Sequence, residues 1–107
     1  EIYTFYSSAA SDVYKRQLVG CADGFSFVNM TDPSNPFEVF FVSGTNSVWR
    51  DIKTWNNYAY ITTEATDGLL IVDLDDLSGQ TYTYWTDEFL RGHNIYIDEY
   101  GYAYIFG

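Results

Sequence analysis

Basic residues, histidine, cysteine and proline are all scarce in this chain. Five Lys and Arg stand against fifteen Asp and Glu among 107 residues, a formal net charge of −10. A field of that sign repels nucleic acid and anionic membrane surfaces, and it favours solubility or cation binding. Nucleic acid is therefore excluded as a partner. Cys21 has no second cysteine to pair with, which rules out an intramolecular disulfide framework. Its flanks, Val19 and Ala22, suit an inert thiol in a core strand. A single histidine, His93, excludes a multi-histidine metal site built from this chain alone. No run approaches the ~18 apolar residues of a membrane span. Gly-rich phosphate loops and zinc-ligand spacings are missing as well. Both prolines fall within Thr31-Asp32-Pro33-Ser34-Asn35-Pro36, which must be a connection because proline removes ladder donors and fixes φ. Asn29-Met30-Thr31 matches a glycosylation acceptor, but its strand position favours an unmodified residue.

What is abundant is aromatic and β-branched residue in short runs, and the runs repeat. Asp23-Gly24-Phe25-Ser26-Phe27-Val28-Asn29-Met30 returns, 44 residues on, as Asp67-Gly68-Leu69-Leu70-Ile71-Val72-Asp73-Leu74. Asp51-Ile52-Lys53 with Tyr58-Ala59-Tyr60-Ile61 returns as Asn94-Ile95-Tyr96 with Tyr102-Ala103-Tyr104-Ile105. Bounded by Gly, Asn, Asp and Pro, the runs predict strands over 18–22, 25–30, 37–42, 48–55, 58–64, 68–74, 81–86, 93–98 and 101–106. Asp23-Gly24 and Asp67-Gly68 are expected to form tight hairpin turns with positive φ, and Asn56-Asn57 to do so more weakly. Apolar side chains on both faces of 25–30 and 69–74 require cover on both sides. A unit of four short strands at ~40 to 45 residues has the length of a propeller blade. The expected fold is all-β, a fragment of a β-propeller with about two four-stranded antiparallel blades; a small β-barrel or sandwich is the alternative.

Residues 1–17 are expected to be foreign to this fold. Ser7-Ser8-Ala9-Ala10-Ser11-Asp12-Val13-Tyr14-Lys15-Arg16-Gln17 reads as the literal translation of a transposase-type sequencing adapter, and Glu1-Ile2-Tyr3-Thr4 resembles the primer that precedes one. A segment of that kind is left out of fold reasoning. Two acids and two bases lie in it, so the charge of −10 rests on 18–107, where only Arg50, Lys53 and Arg91 are basic. That stretch, read alone, is a slice of a longer reading frame.

Four pieces at their spacing resemble one family. Leu69-Leu70-Ile71-Val72-Asp73-Leu74 is similar to the core of the LVIVD repeat. The run 23–36, then Trp49-Arg50-Asp51-Ile52-Lys53 and His93-Asn94-Ile95, resemble successive signatures of the choice-of-anchor B family. The likeness covers 18–107. It implies a β-propeller in a surface-exposed or secreted protein, with no generally assigned enzymatic activity and with an unidentified protein or glycan, besides the remaining blades, as partner. The strongly aromatic character, with Tyr58, Tyr60, Tyr82, Tyr84, Tyr96, Tyr100, Tyr102 and Tyr104, departs from the family pattern.

Candidate chemistry falls on the first strand of each unit, which in a propeller lines the central channel. Aligning those strands sets Arg50-Asp51 on His93-Asn94, a recurring polar pair that could hold a small ligand or cation, or else bond neighbouring blades. Asp73, Asp75 and Asp76 lie in a short acidic turn whose oxygens could take calcium, although the full spacing of an EF-hand is missing. Glu64 and Asp67 could form a carboxylate pair. Ser26, Ser43 and Ser47 have no nucleophile-elbow context. The expected function is a non-catalytic interaction module with no identified cofactor, and the alternative is a divalent-cation-dependent hydrolase or lactonase-like propeller.

Overall fold

A computed structural model describes residues 16–107 and the backbone of 2–5; residues 6–15, most of the adapter-like segment, lie outside the described residues. The chain is all-β there, without a helix, and folds into three antiparallel sheets. The first is a meander of β2 (Arg16–Cys21), β3 (Gly24–Asn29) and β4 (Phe37–Ser43), with the backbone of β1 (Ile2–Phe5) along the free edge of β2. The second is a four-stranded meander of β5 (Arg50–Trp55), β6 (Tyr58–Thr63), β7 (Leu69–Asp73) and β8 (Tyr82–Trp85). The third is the hairpin β9 (Asn94–Ile97) and β10 (Ala103–Phe106). Among the described residues no sheet closes on itself, and no helix is long and apolar enough to cross a membrane.

Each of the nine predicted runs became a strand: β5 to β10 are shortened at one or both ends, β3 is displaced one residue toward the amino end, and β4 runs one residue further, to Ser43. β2 begins earlier than expected, at Arg16, because the ladder to β3 continues through Gln17↔Val28 to Arg16↔Asn29 and the Arg16 guanidinium lies 5.3 Å over the Phe27 ring. A register shift between Phe27 and Val28 leaves Val39 as the extra residue of a bulge in β4.

The turns differ from expectation in an instructive way. Asn56 and Asn57 carry φ of 49° and 65°, the double left-handed turn that a two-residue hairpin uses. Asp23-Gly24 does not do this. The turn residues are Ala22 and Asp23, and Gly24 already pairs with Cys21 inside the ladder. Its missing side chain serves close packing instead: a Cβ there would meet the Val42 carbonyl and lie 2.6 Å from the Phe41 ring. Gly68 does take a positive φ of 78°, but it closes a longer connection over 64–68, and its N–H donates to the Leu90 carbonyl at 2.8 Å.

The core lies between the first two sheets. Leu18, Phe25, Phe27, Phe40 and Val42 of one face meet Ile52, Ala59, Ile61, Leu70 and Val72 of the other, and all are buried. Phe27 and Phe40 tilt against each other with ring centroids 5.2 Å apart. As expected, β7 also hides its opposite face, where Leu69 is buried and Ile71 half-buried. The third sheet packs with β9 against β5, so the first strands of the second and third sheets run side by side.

Candidate functional site

The candidate residues on β5 point alternately to opposite neighbours, since successive strand residues face opposite sides of a sheet. Arg50 leans into the first sheet. Its guanidinium donates from Nε to the Cys21 carbonyl (2.8 Å) and from one terminal nitrogen to the carbonyls of Thr45 (2.6 Å) and Ala22 (3.3 Å). With only 2% of Arg50 exposed, burial pulls its pKa down while nearby Asp67 pushes it back up. A guanidinium remains charged under such a shift, so three backbone carbonyls, at the end of β2 and in the turns beside it, gain a fixed cationic donor.

Asp67 and Tyr84 complete this seam. The Asp67 carboxylate accepts the Thr45 N–H at 2.7 Å and the Thr45 hydroxyl at 2.6 Å. Tyr84 donates its hydroxyl to the Ser43 carbonyl, and burial first, then Asp67, raises its pKa. These groups close around Gly44, where a Cβ would stand 3.0 Å from Asp67 and 3.1 Å from the Tyr84 hydroxyl.

Asp51 faces the other way, into the third sheet. One carboxylate oxygen accepts the Ile95 N–H (2.9 Å) and the Asn94 amide (3.3 Å); the other accepts its neighbour Ile52 N–H (3.0 Å) and meets Lys53 Nζ at 3.2 Å. His93 stacks flat on Trp49, with centroids 4.4 Å apart and planes 8° apart, while the Trp49 indole N–H donates to the His93 carbonyl at 2.6 Å. His93 Nδ1 lies 2.6 Å from Glu64 Oε2, and both side chains are near two-fifths exposed (43% and 42%). Gly92 donates to the Thr63 carbonyl at 2.9 Å.

The four channel candidates are thus near one another in sequence register but not convergent. Asp51 and Asn94 meet; Arg50 is directed to the opposite side of the sheet, and His93 joins Glu64 and Trp49. The Glu64 and Asp67 pair does not form, since Asp67 turns to Thr45 and Glu64 to His93. Glu64 and Trp49 as partners of His93 were not read from the sequence. Trp49 lies in the Trp49-Arg50-Asp51 run aligned on Gly92-His93-Asn94; no such signal marks Glu64.

A carboxylate holding an imidazole is half of a hydrolytic relay and needs a nucleophile. The hydroxyl of buried Ser47, the nearest in the chain to Trp49, donates to the Trp49 carbonyl at 2.7 Å and accepts the Glu64 N–H at 3.2 Å, which turns its proton away from the ring. Ser26 likewise donates to Glu38 at 2.6 Å. Burial, with Asp23 second, raises the pKa of Cys21, opposing the thiolate. A cleft beside the outer strands, among whose walls are Phe41, Ser43, Ser78, Gly79, Gln80 and Tyr82, brings no carboxylate or imidazole.

The acidic turn uses its own oxygens. Asp73 accepts the Asp75 N–H at 2.8 Å, and Asp76 accepts the Ser78 N–H (3.0 Å), the Ser78 hydroxyl (2.7 Å) and the Thr81 hydroxyl (2.6 Å). Among the described residues no group of three or more His, Cys, Asp or Glu is placed to hold a metal ion. The turn after β3 has the same design: Asp32 accepts the Ser34 N–H at 3.1 Å and the Ser34 hydroxyl at 2.7 Å. Comparison of the chain with family models, with curated proteins and with solved structures found no match.

Proposed function

We propose that 18–107 belongs to a β-propeller of the LVIVD-repeat, choice-of-anchor B type, and that it serves as a non-catalytic surface or secreted module binding a protein or glycan. The observation that carries this reading is the division of labour on β5: Arg50 reaches carbonyls of the sheet before it and Asp51 the amides of the sheet after it. Polar groups that a channel site would present to a ligand are engaged in stacking one sheet on the next. The matched Asp-x-Ser turns at 32–34 and 76–78, with the same bonds 44 positions apart, agree with a stacked repeat. Exposed Tyr96, Tyr100, Tyr102 and Tyr104 offer aromatic faces suited to a sugar ring or a protein partner.

Substitution at the second seam tests the reading. Asp51→Asn and His93→Gln in the full chain are expected to lower the melting temperature, with no hydrolysis of lactone or phenyl ester substrates in either parent or variant and no stoichiometric metal by elemental analysis. Stoichiometric divalent metal together with a hydrolytic rate lost in Asp51→Asn would establish the cation-dependent hydrolase instead.

A further inference from the structure

The cleft between β4 and the connection that leads into β8 lies where the two repeat units diverge. Tyr82 pairs with Val72 as Glu38, 44 positions earlier, pairs with Val28, and Gln80 stands where the first unit has Pro36. Glu38 is used inside its own sheet, where it accepts the Ser26 hydroxyl at 2.6 Å. Tyr82 and Gln80 are not used that way. Tyr82 is 46% exposed, and among the described residues neither the Gln80 side-chain amide nor the Ser43 hydroxyl has a hydrogen-bond partner. Stacking of the sheets therefore does not account for these groups.

The cleft has a volume of about 510 Å3, within the ~300–1,000 Å3 of a small-ligand site. Fixed parts shape it. Gly79, with a φ of 72°, approaches Phe40 so closely that a Cβ would stand 2.5 Å from the Phe40 Cβ, and Asp76 locks the same turn through Ser78 and Thr81. Both aromatic walls are braced. The Phe41 ring rests on Gly24; Tyr82 meets Tyr84 edge-on, with centroids 5.9 Å apart, and Tyr84 in turn bonds the Ser43 carbonyl.

We infer that this cleft binds a neutral β-1,4-linked glucan chain, with C–H faces of the pyranose rings on Tyr82 and Phe41 and sugar hydroxyls on Ser43 and Gln80. The inference rests on the binding-module reading above and narrows its partner to a saccharide, at a site apart from the tyrosines of β9 and β10. Aromatic rings take the apolar faces of a flat, equatorially substituted sugar, and the uncharged Ser and Gln groups match its hydroxyls. The walls supply no charged side chain among the described residues, and a net charge of −10 disfavours an anionic polysaccharide. Because the walls are already held, little ordering opposes binding.

The probe is cellohexaose, titrated into the full chain and followed residue by residue by NMR. The Gln80 side-chain amide and the backbone amides of 41–43 and 78–82 are expected to shift saturably, with a Kd on the order of 0.1–1 mM. Gln80→Ala removes only an exposed amide and should raise the Kd by about fivefold at an unchanged melting temperature. Tyr82→Ala should raise it by about tenfold or more, and Tyr102→Ala should leave it unchanged. Hexagalacturonate, with a carboxylate on every ring, should give no saturable shift. Four results would overturn the inference: no saturable shift with cellohexaose, a Kd untouched by both Gln80→Ala and Tyr82→Ala, equal binding of hexagalacturonate, or shifts confined to β9 and β10 and lost in Tyr102→Ala. The last would leave the binding-module reading intact with its site elsewhere.

Discussion

The second sheet and the terminal hairpin start from the same Tyr-Ala-Tyr-Ile strand and end in different states. In the second sheet that strand is central, with Ala59 and Ile61 sealed off from water; in the hairpin Ala103 faces solvent, Ile105 is only half-buried, and Tyr102 is 67% exposed. Local sequence therefore sets strand and register, while burial is conferred by neighbours. Each sheet here is apolar on more surface than it can hide itself, and only stacking reconciles this with water.

The sharpest way to break the comparison is to put a charge at the shared alanine. Ala59→Glu places an unpaired carboxylate at a fully buried position between β5 and β7, and is expected to cost about 4 kcal/mol or more, enough to unfold a domain of ordinary stability. Ala103→Glu at the exposed copy should change stability by less than about 0.5 kcal/mol. Urea titrations of the two variants decide the matter. Equal effects would mean that β10 is covered as β6 is.

Next in size is the seam between the first two sheets. Arg50→Met keeps the aliphatic stem but strips a donor from the carbonyls of Cys21, Ala22 and Thr45, with an expected loss of about 2–4 kcal/mol. Lys53→Met on the same strand removes only a half-exposed partner of Asp51 and should cost under about 0.5 kcal/mol. Asp51→Ala follows, because the Ile95 N–H then lies buried without its acceptor. About 2 kcal/mol is expected, read as faster amide exchange of Ile95 and its hairpin, with the β6 and β7 amides little affected. Uniform acceleration through both sheets would contradict an independent second seam.

The strands were legible because their signals are local: alternating aromatic and β-branched runs ended by Asn, Gly, Asp or Pro. Asn56-Asn57 formed the expected turn for the same reason. Of the two Asp-Gly pairs, Gly68 took the expected positive φ but within a longer connection, whereas Gly24 was misjudged because a glycine required for φ and one required for close packing look alike in sequence; the Phe41 ring that crowds Gly24 comes from another strand. Arg50 and Asp51 were identified as a pair but not their directions, which depend on which side of β5 each neighbouring sheet occupies. His93 was singled out, whereas its partners Glu64 and Trp49 flank strands of the second sheet, 29 and 44 positions away.

The smallest effect concerns the turns, which hold the bare hairpin and the covered sheet alike. Bonds from Thr81 and then Ser78 hold the Asp76 carboxyl below the usual carboxylate range. Desolvation pushes Asp98 upward, but the N–H groups of Tyr102 and Tyr100 and the Tyr104 hydroxyl, at 3.0, 2.9 and 2.9 Å, outweigh it and leave its pKa lowered too. A carboxyl whose folded pKa lies below its unfolded value, near about 3.9, contributes stability that is fully present above that value. The contribution disappears as pH falls through the lower, folded value. The melting temperature should therefore decline below about pH 4, and Asp76→Asn should flatten part of that decline. Asp98→Asn should flatten it as well, while amide exchange in β9 and β10 quickens and that of β5 to β8 is unchanged. An acid slope unaltered in both variants would show that neither turn carboxylate is bound more tightly in the folded chain than in the unfolded one.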